Sequence, residues 1–194
     1  MLKLGILGST NGTVMLSLLA AIKQKDLAAK ISVVLSNKQD ARILENAKHQ
    51  QLKAIFVDGA NTLSKEAYDQ QLSDILKSYQ IDLIVLIGYM RILSKQFTDT
   101  WKNKIINIHP SLLPAYSGWM NRNVHQAVID NHDKETGCTV HLVTDVLDSG
   151  PILMQKKCYV LPGDSVEQLK SRVQNLEAVS LIEVINQFAK NKNE

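Results

Sequence analysis

Apolar positions along the chain fall into two alternating patterns. Short, nearly continuous runs cover residues 2–8, 31–35, 52–57, 81–87 and 105–109, and each suits a strand buried on both faces. Between them apolar residues recur at three- and four-residue spacing, as on an amphipathic helix: Met15, Leu18, Leu19 and Ile22, then Tyr68, Leu72, Ile75, Leu76 and Tyr79. Residues 38–49, 94–101 and 124–131 also read as helices, and Ser64 is placed to cap the helix that follows it. Strands alternating with helices at this rhythm predict βαβ units joined by right-handed crossovers.

The last third breaks the rhythm. Residues 136–143 alternate like a half-buried strand, with Val140, Leu142 and Thr144 on one face, and 152–161 reads as one more strand antiparallel to it. Asp164-Ser165 with Gln168 resembles a capping box. It opens a long helix whose stripe of Val166, Leu169, Val173, Leu176, Val179, Ile182, Ile185 and Phe188 predicts core packing. Residues 190–194 are polar and read as a frayed end. No repeat, low-complexity segment or linker interrupts the 194 residues, so one domain over 1–194 is expected.

Composition narrows the function classes. Hydrophobic residues at 45% and charged residues at 21% are ordinary for a globular protein. The net charge of +3 is spread over 18 lysines and 4 arginines, and aromatics are 5%, so a stacking platform for nucleic acid is not expected. Cys138 and Cys158 are too few and too far apart for a zinc knuckle or a CxxC redox pair and read as reduced core residues. There is no basic-then-apolar leader and no long apolar run, so no membrane span and a cytoplasmic location are expected.

Candidate chemistry sits at strand ends. The run Leu2-Lys3-Leu4-Gly5-Ile6-Leu7-Gly8 breaks into Ser9-Thr10-Asn11-Gly12-Thr13 and then a helix. Free N–H groups and the positive end of the helix dipole favour an anion there. The glycines do not fit G-x-G-x-x-G, GK[ST] is absent, and no acid follows Leu35 to hold a ribose hydroxyl, which argues against a dinucleotide. Asn107 and His109, two apart on a strand ended by Pro110, share a face where the strand stops. An imidazole can carry a proton near neutral pH, an amide N–H can donate to a developing oxyanion, and a carboxylate nearby, for which Asp148 is the candidate, raises an imidazole pKa. Residues 111–123 form a polar loop long enough to act as a lid. His49, His125, His132 and His141 read as surface or strand histidines without a role.

The run Asn107-Ile108-His109-Pro110-Ser111-Leu112-Leu113-Pro114, followed by Leu147-Asp148-Ser149-Gly150-Pro151, resembles the 10-formyltetrahydrofolate-dependent formyltransferases. The likeness extends to Ser36-Asn37-Lys38, Met90-Arg91-Ile92-Leu93, and Arg172-Val173-Gln174 with Glu177. It is greatest for the branch acting on 5'-phosphoribosylglycinamide in purine biosynthesis. Relatives with a further C-terminal domain for methionyl-tRNA, or with an N-terminal regulatory domain and a second histidine where Pro110 stands, match less well.

The resemblance implies a Rossmann-like α/β fold: an open twisted sheet, mostly parallel with an antiparallel edge hairpin, and helices on both faces. It implies 10-formyltetrahydrofolate as co-substrate and no metal. It places the folate against Lys65, Met90, Arg91, Ile92, Leu93 and Asn107, with backbone of 143–148, and the phosphorylated amine against Gly12, Thr13, Val14, Gln174 and Glu177. It implies direct acyl transfer, with Asn107 and protonated His109 stabilising the tetrahedral intermediate and Asp148 raising the His109 pKa. The partners are then two small molecules, with no nucleic acid or membrane, and the chain is a monomer or weak homodimer. The sequence departs from the family on the acceptor side: Val14 stands where an asparagine is usual, Ala178 where a histidine is usual, and 116–123 lacks the common Pro-Gly and histidines. A different small amine as acceptor, such as an amino sugar nucleotide, a non-catalytic folate-binding homologue, and a nucleotide-binding Rossmann domain are the alternatives.

Overall fold

The computed structural model describes residues 1–59, 64–119 and 122–192, and only the backbone of Arg122. Its elements run β1 (Leu2–Leu7), α1 (Thr13–Lys23), β2 (Ala29–Ser36), α2 (Arg42–His49), β3 (Ala54–Phe56), α3 (Lys65–Ser78) and β4 (Leu83–Leu86). They continue as α4 (Lys95–Thr100), β5 (Ile105–His109), α5 (Arg122–Asp130), β6 (Glu135–Leu142), β7 (Ile152–Tyr159) and α6 (Val166–Asn191). The strands form one sheet in the order β3-β2-β1-β4-β5-β6-β7. β1 to β5 are parallel, β6 runs against β5, and β7 runs against β6. The mostly parallel sheet with an antiparallel edge hairpin is the expected architecture.

Helices cover both faces, which is why β1, β4 and β5 are apolar on both sides. On one face α1, α2 and α6 bury Met15, Leu18, Ile43, Leu181 and Val184 against Leu4, Ile6 and Val85. On the other, α3 and α4 bury Tyr68, Leu72, Leu76 and Phe97 against Leu7, Leu35 and Ile84. The chain moves one way from β1 through β2 to β3 and the other way from β1 to β4 and β5. The switch point therefore lies between β1 and β4, and a crevice opens outside their carboxyl ends.

Several sequence expectations are corrected. The helix expected over 38–49 starts only at Arg42, because Ser36 Oγ accepts from the Lys38 N–H and Ala41 N donates to Lys38 O, which turns the chain first. β6 is buried along most of its length rather than on one face. Cys138 faces Ser180 of α6, while Thr139 on the opposite face binds the loop after β5, donating to Ser111 O and accepting from Leu113 N. The stripe on α6 packs in the core as expected at every position but one. Repeated three-residue steps drift around a 3.6-residue helix, so Val179 is 45% exposed, and around it the buried line runs through Glu177, Ser180, Leu181 and Val184. The capping box at Ser165 and Gln168 is present. Of the expected frayed end, Lys190 and Asn191 are helical, and Asn193 and Glu194 lie outside the described residues, as do Met120 and Asn121 of the expected lid.

Gly137 lies where β6 passes β7, and a Cβ there would sit 2.0 Å from the Lys156 carbonyl oxygen. Gly137→Ala is expected to destabilise the fold by about 3 kcal/mol through displaced β6–β7 pairing. Gly163→Ala, with open space around it and only its φ of +81° to strain, costs about 1 kcal/mol. Urea unfolding of the two variants beside the wild type checks the order.

Candidate active site

One pocket of about 450 Å³ opens at the switch point, within the range of small-molecule sites. Its floor is the end of β5, and its walls come from the β1–α1 turn, residues 86–93, the loop 143–148 and the first turns of α6. Gly12 caps α1 with φ +69°, and a Cβ there would collide with Ile43, so glycine is required for the turn. No side chain caps α1, which leaves its first N–H groups for an anion. Ser9 ties this turn to the next wall: its Oγ donates to Asn37 Oδ1 and accepts from Met90 N.

Asn107 and His109 do lie together on the pocket side of β5. Asn107 pairs directly with His141 of β6, and His109 with Thr139. His141 Nδ1 meets the Leu142 carbonyl at 2.9 Å, an atom that can only accept, so Nδ1 carries the proton. Its Nε2 is then free to accept from the Asn107 amide at 3.1 Å, which fixes the orientation of that amide. Asp148 stands between two imidazoles: Oδ2 is 3.4 Å from His109 Nδ1 and Oδ1 is 3.6 Å from His141 Nε2. All three side chains are at most 6% exposed. Asp148 itself has φ +51°, a left-handed conformation rare outside glycine, asparagine and aspartate, and the segment after β5 donates its Gly118 N–H to the same Oδ2.

The segment after β5 closes over this group. His109 Nε2 donates to Tyr116 O at 3.1 Å, and the Tyr116 hydroxyl is held by Asp133 and Asn131. Burial pushes the His109 pKa down, and Asp148 and the Tyr116 carbonyl pull it up less strongly, so the net shift is downward. This corrects the expectation that Asp148 leaves His109 with a raised pKa: the carboxylate acts in that direction, but desolvation of a buried imidazole outweighs it. His141 is lowered by burial in the same way.

The α6 wall of the pocket carries a further buried ionisable group. Glu177 is 8% exposed on the inner line of α6, and among the described residues it has no hydrogen bond or ion pair. Burial raises its pKa to about 7, against a small lowering by Lys170.

The formyl transferase family model matches residues 2–185. The chain belongs to the formyl transferase family. Phosphoribosylglycinamide formyltransferase of Haemophilus influenzae is 41% identical over 178 residues, 91% of this chain and 82% of that protein. The Escherichia coli enzyme of the same name is 38% identical over 184 residues, 95% of this chain and 85% of that protein. A crystal structure of glycinamide ribonucleotide transformylase 1 from Symbiobacterium toebii superposes with a TM-score of 0.93 at 36% identity, covering 98% of this chain and 89% of that one.

In this member of the formyl transferase family the pocket brings together Gly12, Thr13, Val14, Met90, Arg91, Ile92, Leu93, Asn107, His109, Asp148, Gln174 and Glu177. Lys65 is not part of the wall. It is the exposed first residue of α3, and the stretch before Ser64 lies outside the described residues. His141 was read from the sequence as having no role, yet it orients Asn107. The Leu-Val-Thr-Asp sequence after it gives no hint, because only the β5–β6 register brings His141 opposite Asn107.

Glu177 gives a stability prediction with a definite sign. Its folded pKa of about 7 lies above the ordinary glutamate value of 4.5, so the native state binds more protons between those values and stability falls as pH rises through the window. Glu177→Gln is therefore expected to stabilise the ligand-free protein by roughly 2 kcal/mol at pH 8 and to be near neutral at pH 4.5. Urea midpoints at the two pH values test this.

Proposed function

We propose that the protein transfers the formyl group of 10-formyltetrahydrofolate to the amine of 5'-phosphoribosylglycinamide, a step of purine biosynthesis. The observation that carries the reading is a single pocket joining an uncapped helix start, suited to a phosphate, to an amide, an imidazole and a carboxylate at the end of β5. The relatives named above support the reaction and the acceptor. The mostly apolar wall of Met90, Ile92, Leu93 and Val143 suits a pterin, and the uncapped α1 turn with Gln174 and Glu177 suits the phosphorylated amine. Among the described residues no helix is long and apolar enough to cross a membrane.

The chemistry is direct acyl transfer. The acceptor nitrogen attacks the formyl carbon, the carbonyl oxygen takes up negative charge, the bond from that carbon to folate N10 breaks, and the proton lost by the amine ends on N10. The Asn107 amide, aimed by His141, donates to the oxyanion. His109 enters neutral, because burial keeps its pKa low. When substrate displaces the Tyr116 carbonyl, the His109 proton moves to Nδ1, where Asp148 accepts it, and Nε2 becomes free to take the amine proton. The imidazolium so formed is then stabilised by both the oxyanion and Asp148. No step requires a metal.

Val14 favours one further reading, a related small amine as acceptor, since it lines the pocket at the α1 turn while Asn107, His109 and Asp148 are intact; Ala178 is packed in the core and does not line the pocket. Release of tetrahydrofolate from 10-formyltetrahydrofolate, followed with and without 5'-phosphoribosylglycinamide, separates the two. Acceptor-dependent release is expected. Asn107→Ala and His109→Ala are expected to lower kcat about 10²- to 10³-fold each, with the fold retained. Wild-type rates in both variants contradict the assignment, and release that ignores this acceptor moves the substrate to another amine.

A further inference from the structure

Among the described residues two cationic side chains line the pocket, Arg91 and Lys170. Arg91 is engaged at the folate end, its guanidinium 4.0 Å from the centroid of the Tyr68 ring. Lys170 is different. It is half-buried on the second turn of α6, and among the described residues it makes no hydrogen bond and no ion pair. Its charge is felt by Glu177 and by His125, both of which it lowers.

The packing of α1 and α6 shows where that charge lies. The two helices run side by side on one face of the sheet, and just past the end of α1 the Asn186 amide donates to Asp26 O and accepts from Ala28 N. Both helices therefore run away from the pocket, and at its end Gly12, Thr13 and Val14 of the α1 turn and Lys170, Gln174 and Glu177 of α6 line the same cavity. Lys170 lies one turn before Gln174 on that shared wall.

At this turn the chain offers little else for an anion. Val14 is 4% exposed and carries no polar group, so α1 offers an anion its backbone N–H groups and the Thr13 hydroxyl but no charged side chain. The acidic side chains of the pocket, Asp145, Asp148 and Glu177, all disfavour one. We propose that Lys170 supplies the positive charge that binds the 5'-phosphate of the acceptor, and so selects phosphorylated over unphosphorylated amines. It does from α6 what a polar side chain at position 14 would do from α1. The proposal rests on the acceptor reading given above.

Calorimetric binding of ribose 5-phosphate to wild type, Lys170→Met and Lys170→Arg tests the proposal without any turnover. Loss of one charge-assisted contact is expected to weaken binding by Lys170→Met about ten- to hundred-fold, with Lys170→Arg retaining most of the affinity. Raising ionic strength should weaken the wild type more than Lys170→Met. In the formyl-transfer assay the loss should appear in the KM of the phosphorylated acceptor and not in the KM of the formyl donor, and it should vanish with the dephosphorylated acceptor. Equal ribose 5-phosphate affinity in wild type and Lys170→Met overturns the role of Lys170, as does an equal KM change for both acceptors. A wild type that binds ribose 5-phosphate through Lys170 but does not formylate 5'-phosphoribosylglycinamide instead removes the acceptor assignment and leaves the phosphate contact standing.

Discussion

The site depends on holding a carboxylate and two imidazoles out of water without neutralising any of them through a tight ion pair. Asp148 sits between His109 and His141 at 3.4 and 3.6 Å, longer than a good charge-assisted hydrogen bond. Its fixed donor is the Gly118 N–H at 2.8 Å. The carboxylate is therefore stabilised by backbone, while the histidines are kept neutral by burial. Such a group can respond when charge appears beside it, because the energy of a second charge in a water-poor site is large. The tautomer of His141, set by the Leu142 carbonyl, carries the same order one step further and aims the Asn107 amide.

These features work against stability and persist because the scaffold around them is rigid. Asp148 adopts a left-handed backbone conformation, and Glu177 interrupts the buried line of α6 with a carboxyl. Both lie where β5, β6 and α6 meet, next to Thr139, whose hydroxyl binds Ser111 O, Leu113 N and Gln155 Nε2 at once. That one threonine fastens the loop after β5 to the antiparallel hairpin. The parallel half of the sheet supplies the uncapped α1 turn, and the hairpin supplies the network that holds Asn107, His109 and Asp148.

Much of this was legible in the sequence. Short apolar runs gave the parallel strands, since burial on both faces leaves a continuous signature, and the two-residue spacing put Asn107 and His109 on one face. The motif around them together with the Asp148 loop pointed to the formyl transferase family. Other features required the third dimension. The role of His141 follows from the register of β6 against β5, which no local pattern encodes. The burial of β6 on both faces depends on the loop after β5 folding back over Thr139. Of the stripe on α6, Val179 alone turns to solvent, because three-residue spacing looks regular in a sequence but drifts on a helix. The downward shift of His109 depends on how completely the loop from Ser111 to Trp119 shields it, and an Asp–His pair read from sequence suggests only the opposite pull.

The charge state of His109 is the most direct test of the account. Nitrogen chemical shifts of its imidazole, followed by NMR from acid to neutral pH in wild type and Asp148→Asn, report that state. A neutral ring at pH 7 is expected, titrating below the ordinary histidine range in the wild type and lower still when the Asp148 charge is removed. A ring already charged at pH 7, or one that ignores the loss of Asp148, contradicts the account.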